Sequence, residues 1–149
     1  MRARSLLVCS LLGAITLGIY TSAAAQTPSR RVFEVSMTSY KFEPNELRFN
    51  EGDTVVIRIK NNDSQRDQWH ALTSRYLTDI PVTIRGDSRE YRMGTAEGRR
   101  WIAVTEQGKQ AEIEFVAQGR GSHAFICGVT DHAWRGQTGA FFIQPAGSP

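Results

Sequence analysis

The chain has 149 residues, with 18 Lys and Arg against 15 Asp and Glu and a formal net charge of +3. The basic residues do not gather on one stretch, so the clustered cationic face of a nucleic-acid binder is excluded. Where arginines do crowd, at Arg85, Arg89, Arg92, Arg99 and Arg100, the acids Asp87, Glu90 and Glu97 interleave them, which reads as a solvated mixed-charge segment.

The first element is a leader. Arg2 and Arg4 precede the apolar run Leu6 to Tyr20, and the small residues Ala23, Ala24 and Ala25 close it before Gln26. Positive start, apolar middle and small-residue end are the layout of a secretory signal peptide. The run falls short of the roughly 20 residues of a membrane span. The expected division is a signal peptide over 1–25 and a single domain over 26–149, exported to the periplasm with no membrane span in the mature chain. Cleavage takes the 18 basic residues to 16 against 15 acidic, close to neutral.

Period-two alternation begins at Phe33, Val35 and Met37 and continues through Tyr40 and Phe42 to Pro44, then through Leu47 and Phe49. Glu51-Gly52-Asp53 reads as a turn before Val55, Ile57 and Ile59, and Asn61-Asn62-Asp63-Ser64 breaks the chain. A short strand is expected near Trp69 and His70, another over Val82 to Arg85, and further ones over 101–105, 111–116, 122–127 and 139–144. The segment 71–100 has no sustained period and is open to being a lid, a docking surface or an extra hairpin. About seven or eight short strands with regularly spaced turns indicate an all-β sandwich or barrel.

Export leaves one cysteine, Cys127, in an oxidising compartment, because Cys9 lies in the leader. A lone exported cysteine is a buried inert thiol, a partner for another chain, a reactive group or a metal ligand. Its surroundings favour the last. In Cys127-Gly-Val-Thr-Asp-His132-Ala-Trp-Arg-Gly-Gln137 three donors share one loop between the last two expected strands, and His70 supplies a fourth from beside an earlier strand. Two imidazoles and a thiolate with a weak axial ligand suit copper in both of its oxidation states.

Two fragments carry a family resemblance. Tyr40 to Val56, followed by Lys60-Asn-Asn and His70, and Gly121-Ser-His-Ala-Phe-Ile-Cys127, followed by His132 and Gln137-Thr-Gly-Ala-Phe-Phe-Ile143, together resemble the cupredoxins, the plastocyanin- and azurin-like type 1 copper proteins. The resemblance spans about residues 32 to 144. It implies a Greek-key β-sandwich holding one copper ion through His70, Cys127 and His132, and single-electron transport between redox protein partners. The axial place, usually methionine, falls on Gln137, and the Cys-x4-His-x4-Gln spacing is similar to the stellacyanin metal loop. Ala71 stands where many members have asparagine, so the groups supporting the ligands must be built differently. His123, Trp69 and Trp101 are expected to pack in the core, and Trp134 to shape or cover the metal loop. With no Gly-x-Ser-x-Gly, His-Glu-x-x-His or phosphate-cradling loop, no enzyme is expected. The alternative to an electron carrier is a copper carrier or chaperone, which the two methionines after Met1 do little to favour.

Overall fold

The structure, a computed structural model, describes residues 27–65, 68–92, 100–104 and 106–148. The expected leader over 1–25 with Cys9, Met93, and the Trp101 side chain lie outside the described residues. The strands are β1 (Arg30–Thr38), β2 (Lys41–Glu43), β3 (Glu46–Asn50), β4 (Thr54–Asn61), β5 (His70–Ser74), β6 (Thr83–Gly86), β7 (Arg89–Arg92), β8 (Arg100–Val104), β9 (Gln110–Val116), β10 (Gly121–Cys127) and β11 (Thr138–Gln144). One sheet runs β2-β1-β4-β9-β6 and the other β3-β11-β10-β5-β8-β7. The chain changes sheet repeatedly, so β1 lies parallel to β4 and β3 parallel to β11 while the other pairs are antiparallel.

An all-β sandwich therefore stands, with more strands among the described residues than the alternation predicts. Pro44 splits one alternating run into β2 on the first sheet and β3 on the second. The segment 71–100 holds a 3-10 turn at Tyr76–Thr78, the edge strand β6, and β7 paired with β8, which is the extra-hairpin reading.

The inward faces follow the sequence period. Val35 and Met37 on β1, Val55, Ile57 and Ile59 on β4, Ala111, Ile113 and Phe115 on β9, Phe125 on β10 and Phe141 on β11 are buried. Phe125 and Phe141 lie 4.8 Å apart by ring centroid, and Phe49 and Phe115 pack at 5.9 Å. Each such ring contributes about 1.5–3 kcal/mol by leaving water. On the outer face Arg58 meets Glu34 at 2.9 Å and Glu112 at 3.0 Å, and Arg85 meets Glu112 and Glu114 at 3.2 Å. These pairs are solvent-exposed and add little stability.

The topology assembles one end of the sandwich. β5 runs antiparallel to β10 with Cys127 opposite Leu72, so the start of β5 lies beside the end of β10. β11 begins at Thr138 opposite Ile126, bringing the loop after Cys127 back to the same edge. Gly139 locks this corner: a Cβ there would run into the Phe125 ring and the Asn45 carbonyl. Gly139→Ala is expected to cost about 1–3 kcal/mol of stability, measured by urea unfolding of the metal-free protein.

Candidate metal centre

His70 opens β5, Cys127 ends β10, and His132 and Gln137 lie in the loop between β10 and β11. The loop is closed on itself. The Cys127 amide donates to the Gln137 carbonyl at 2.9 Å, the Gln137 amide to the His132 carbonyl at 3.0 Å, and the His132 amide to the Val129 carbonyl at 3.1 Å. Gly136 enters Gln137 at φ +105°, a backbone region that a side chain disfavours. Thr130 inside the loop and Tyr40 beside it also have positive φ, 38° and 65°, so uncommon backbone clusters at this end.

The four residues are almost wholly withdrawn from water: His70 and Gln137 are 0% exposed, Cys127 1% and His132 5%. One ligand atom from each of His70, Cys127 and His132 lies within 4.8 Å of the others. Cys127 Sγ is 3.5 Å from His132 Nδ1 and accepts the Ala71 amide at 3.5 Å. His70 Nδ1 is 3.1 Å from Gln137 Oε1, and its Nε2 is 3.0 Å from Asp63 Oδ2. The Gln137 amide has only one sensible orientation, since its Nε2 donates to the Lys41 carbonyl at 3.1 Å and so leaves Oε1 facing inward. Tyr40 seals one side, its ring edge-on to His132 at 5.4 Å.

The electrostatics follow from burial. Burial pushes the Cys127 thiol up, and backbone N–H groups of Ala71 and Val129 only partly offset it. Burial first, and nearby His70 second, pull His132 below its ordinary value against Asp131, Gln137 and Asp63, which favours the neutral imidazole. Asp63 is held below the usual carboxylate value: burial opposes its charge, but the Gln65 amide, the Ser39 hydroxyl and His70 together outweigh that cost.

Because a carboxylate only accepts, Asp63 places the His70 proton on Nε2 and leaves a lone pair on Nδ1. That lone pair then faces the Gln137 oxygen, with the Cys127 sulfur and His132 Nδ1 close by. Two facing acceptors, His70 Nδ1 and Gln137 Oε1, repel one another, and a cation between them removes the conflict. The donor set of soft sulfur, two imidazoles and an amide oxygen fits copper.

The family model of the cupredoxin-like domain matches residues 9–138. The chain belongs to the cupredoxin-like family. Solved cupredoxin folds are similar to it at low identity. Auracyanin B has a TM-score of 0.57 at 16% identity, covering 84% of this chain and 96% of its own. Dithionite-reduced auracyanin from Roseiflexus castenholzii gives 0.56 at 16%, covering 76% and 97%. Auracyanin A from Chloroflexus aurantiacus, described as a "blue" copper protein, gives 0.54 at 16%, covering 77% and 99%. No curated protein matches in sequence.

Within this cupredoxin the four residues singled out in the sequence come together, while other expectations shift. Trp69 is 44% exposed, not in the core, because side chains alternate along the chain and His70 takes the inward place. Trp134 is 94% exposed and covers nothing. His123 is only half-buried, at the rim of the core rather than within it, its ring tilted against Tyr76 with centroids 4.5 Å apart. Asp63, Ser39, Tyr40 and the Lys41 carbonyl escape the sequence reading. Asp63 lies in a polar run that signals only a chain break, and nothing local announces its burial.

Proposed function

We propose that this cupredoxin is an exported, mononuclear copper protein that carries single electrons between redox protein partners. Copper there would supply a Cu(II)/Cu(I) couple, taking one electron from a reduced partner and passing it to an oxidised one. His70, Cys127 and His132 would hold the ion, with Gln137 Oε1 as axial donor. One observation carries the reading: four buried groups able to ligate a metal converge, His70 Nδ1 faces Gln137 Oε1, and the Lys41 carbonyl dictates which end of the Gln137 amide joins them.

The ends of β5 and β10 and a self-bonded loop hold these donors, so little has to move when the charge at their centre changes. Near-complete burial of all four donors disfavours the ligand exchange that a copper carrier needs. His132 is the most exposed of the four, and Trp134 stands in solvent two residues on, which marks the side from which a partner gains access. Among the described residues no helix is long and apolar enough to cross a membrane. The leader-like segment 1–25 supports export, with the mature protein working in the periplasm.

The test is a visible absorption spectrum of mature protein loaded with one equivalent of Cu(II). An intense thiolate-to-copper band that ascorbate bleaches and a mild oxidant restores is expected. A colourless Cu(II) protein, or a band that does not return, would sink the electron-carrier reading.

A further inference from the structure

Asp63 is 2% exposed although it sits in the turn after β4 rather than on a strand. Both its oxygens are engaged. Oδ1 accepts the Gln65 amide at 2.9 Å, while Oδ2 accepts the Ser39 hydroxyl at 2.7 Å and lies 3.0 Å from His70 Nε2. Its backbone is clamped as well, the amide donating to Asn61 Oδ1 at 3.1 Å and the carbonyl accepting from Gln107 Nε2 at 2.7 Å. Burying an ionised carboxylate costs several kcal/mol even in real proteins. A chain turn alone does not require it, since an uncharged asparagine makes the same side-chain turn.

The placement answers the question raised by Ala71. Asp63 and Ser39 tie the loop before β5 to the turn between β1 and β2, and through His70 both reach the metal centre. A carboxylate on the far nitrogen of a ligating histidine fixes its tautomer and raises its donor strength.

We propose that Asp63 is a positioning residue of the metal centre: it holds His70 with Nδ1 turned toward Cys127, His132 and Gln137, and its charge favours the oxidised ion. The redox half of this rests on the copper reading above; the tautomer half needs only a bound divalent metal.

Asp63→Asn keeps the shape and removes the charge. With copper, the ratio of Cu(II) to Cu(I) affinity is expected to fall about tenfold, a rise in potential of about 59 mV for one electron. Ser39→Ala removes the donor that competes for the same oxygen, so its shift runs the other way and is smaller. In Zn(II)-loaded protein, which the Cys and His donors also suit, long-range 1H–15N spectra should show His70 protonated at Nε2. That Nε2–H resonance should move upfield in Asp63→Asn. An unchanged potential and an unmoved resonance, with only the unfolding midpoint lowered, would make Asp63 a structural loop residue and overturn the proposal. If Asp63→Asn does not fold, Ser39→Ala decides, and an unmoved resonance with an unchanged or raised potential counts against it. A wild-type protein with no thiolate-to-copper band would defeat the copper reading alone, and the Zn(II) spectra would still judge Asp63.

Discussion

Cys127→Ser is expected to abolish the thiolate-to-copper absorption and to leave Cu(II) bound loosely if at all. The reason is chemical rather than steric. A serine hydroxyl stays protonated at neutral pH and is a hard donor, whereas the site needs a soft anionic one for Cu(I). The Cys127 thiol is itself reluctant to ionise because it is buried, and metal binding supplies the drive to lose that proton. Copper affinity should fall by more than the about 10–100-fold typical of losing an outer partner, because a direct ligand is lost. Competition with a chromophoric chelator measures it. The metal-free variant should remain folded, since the Ala71 amide that reaches the sulfur can donate to the new hydroxyl.

Gln137→Met should raise the reduction potential. An amide oxygen is a harder donor than a thioether and favours Cu(II), so exchanging them shifts the balance toward Cu(I). A shift of about ten- to a hundredfold in the affinity ratio corresponds to about 59–118 mV at 59 mV per decade, read by cyclic voltammetry. The same change strips the Lys41 carbonyl of its donor in a buried place. The metal-free variant should therefore lose about 1 kcal/mol in urea unfolding. An unchanged potential with this stability loss would place Gln137 outside the coordination sphere and leave it a purely structural amide.

Much of the sandwich was legible because period-two runs such as Val55, Ile57 and Ile59 face one core and their partners do not. The candidate ligands were legible for a different reason, a cysteine with histidine and glutamine at fixed offsets in one loop. Trp69 was misplaced because hydrophobicity alone assigns tryptophan inward, while its neighbour His70 occupies the inward register. Asp63 was invisible because its role depends on contacts with Ser39, 24 residues away, and with His70 across a turn that local sequence does not define. The Lys41 carbonyl was unreadable in principle, being backbone whose partner is 96 residues distant. Long-range polar contacts of this kind leave no period and no motif.

The central claim is that His70, Cys127 and His132 together hold one copper ion. Copper K-edge X-ray absorption of the protein loaded to one equivalent tests it most directly, beside His70→Ala and Cys127→Ser. One short sulfur and two imidazole nitrogens are expected in the wild type, with one imidazole missing in the first variant and the sulfur missing in the second. A wild-type spectrum showing only nitrogen and oxygen neighbours, or one that neither variant alters, would contradict the account.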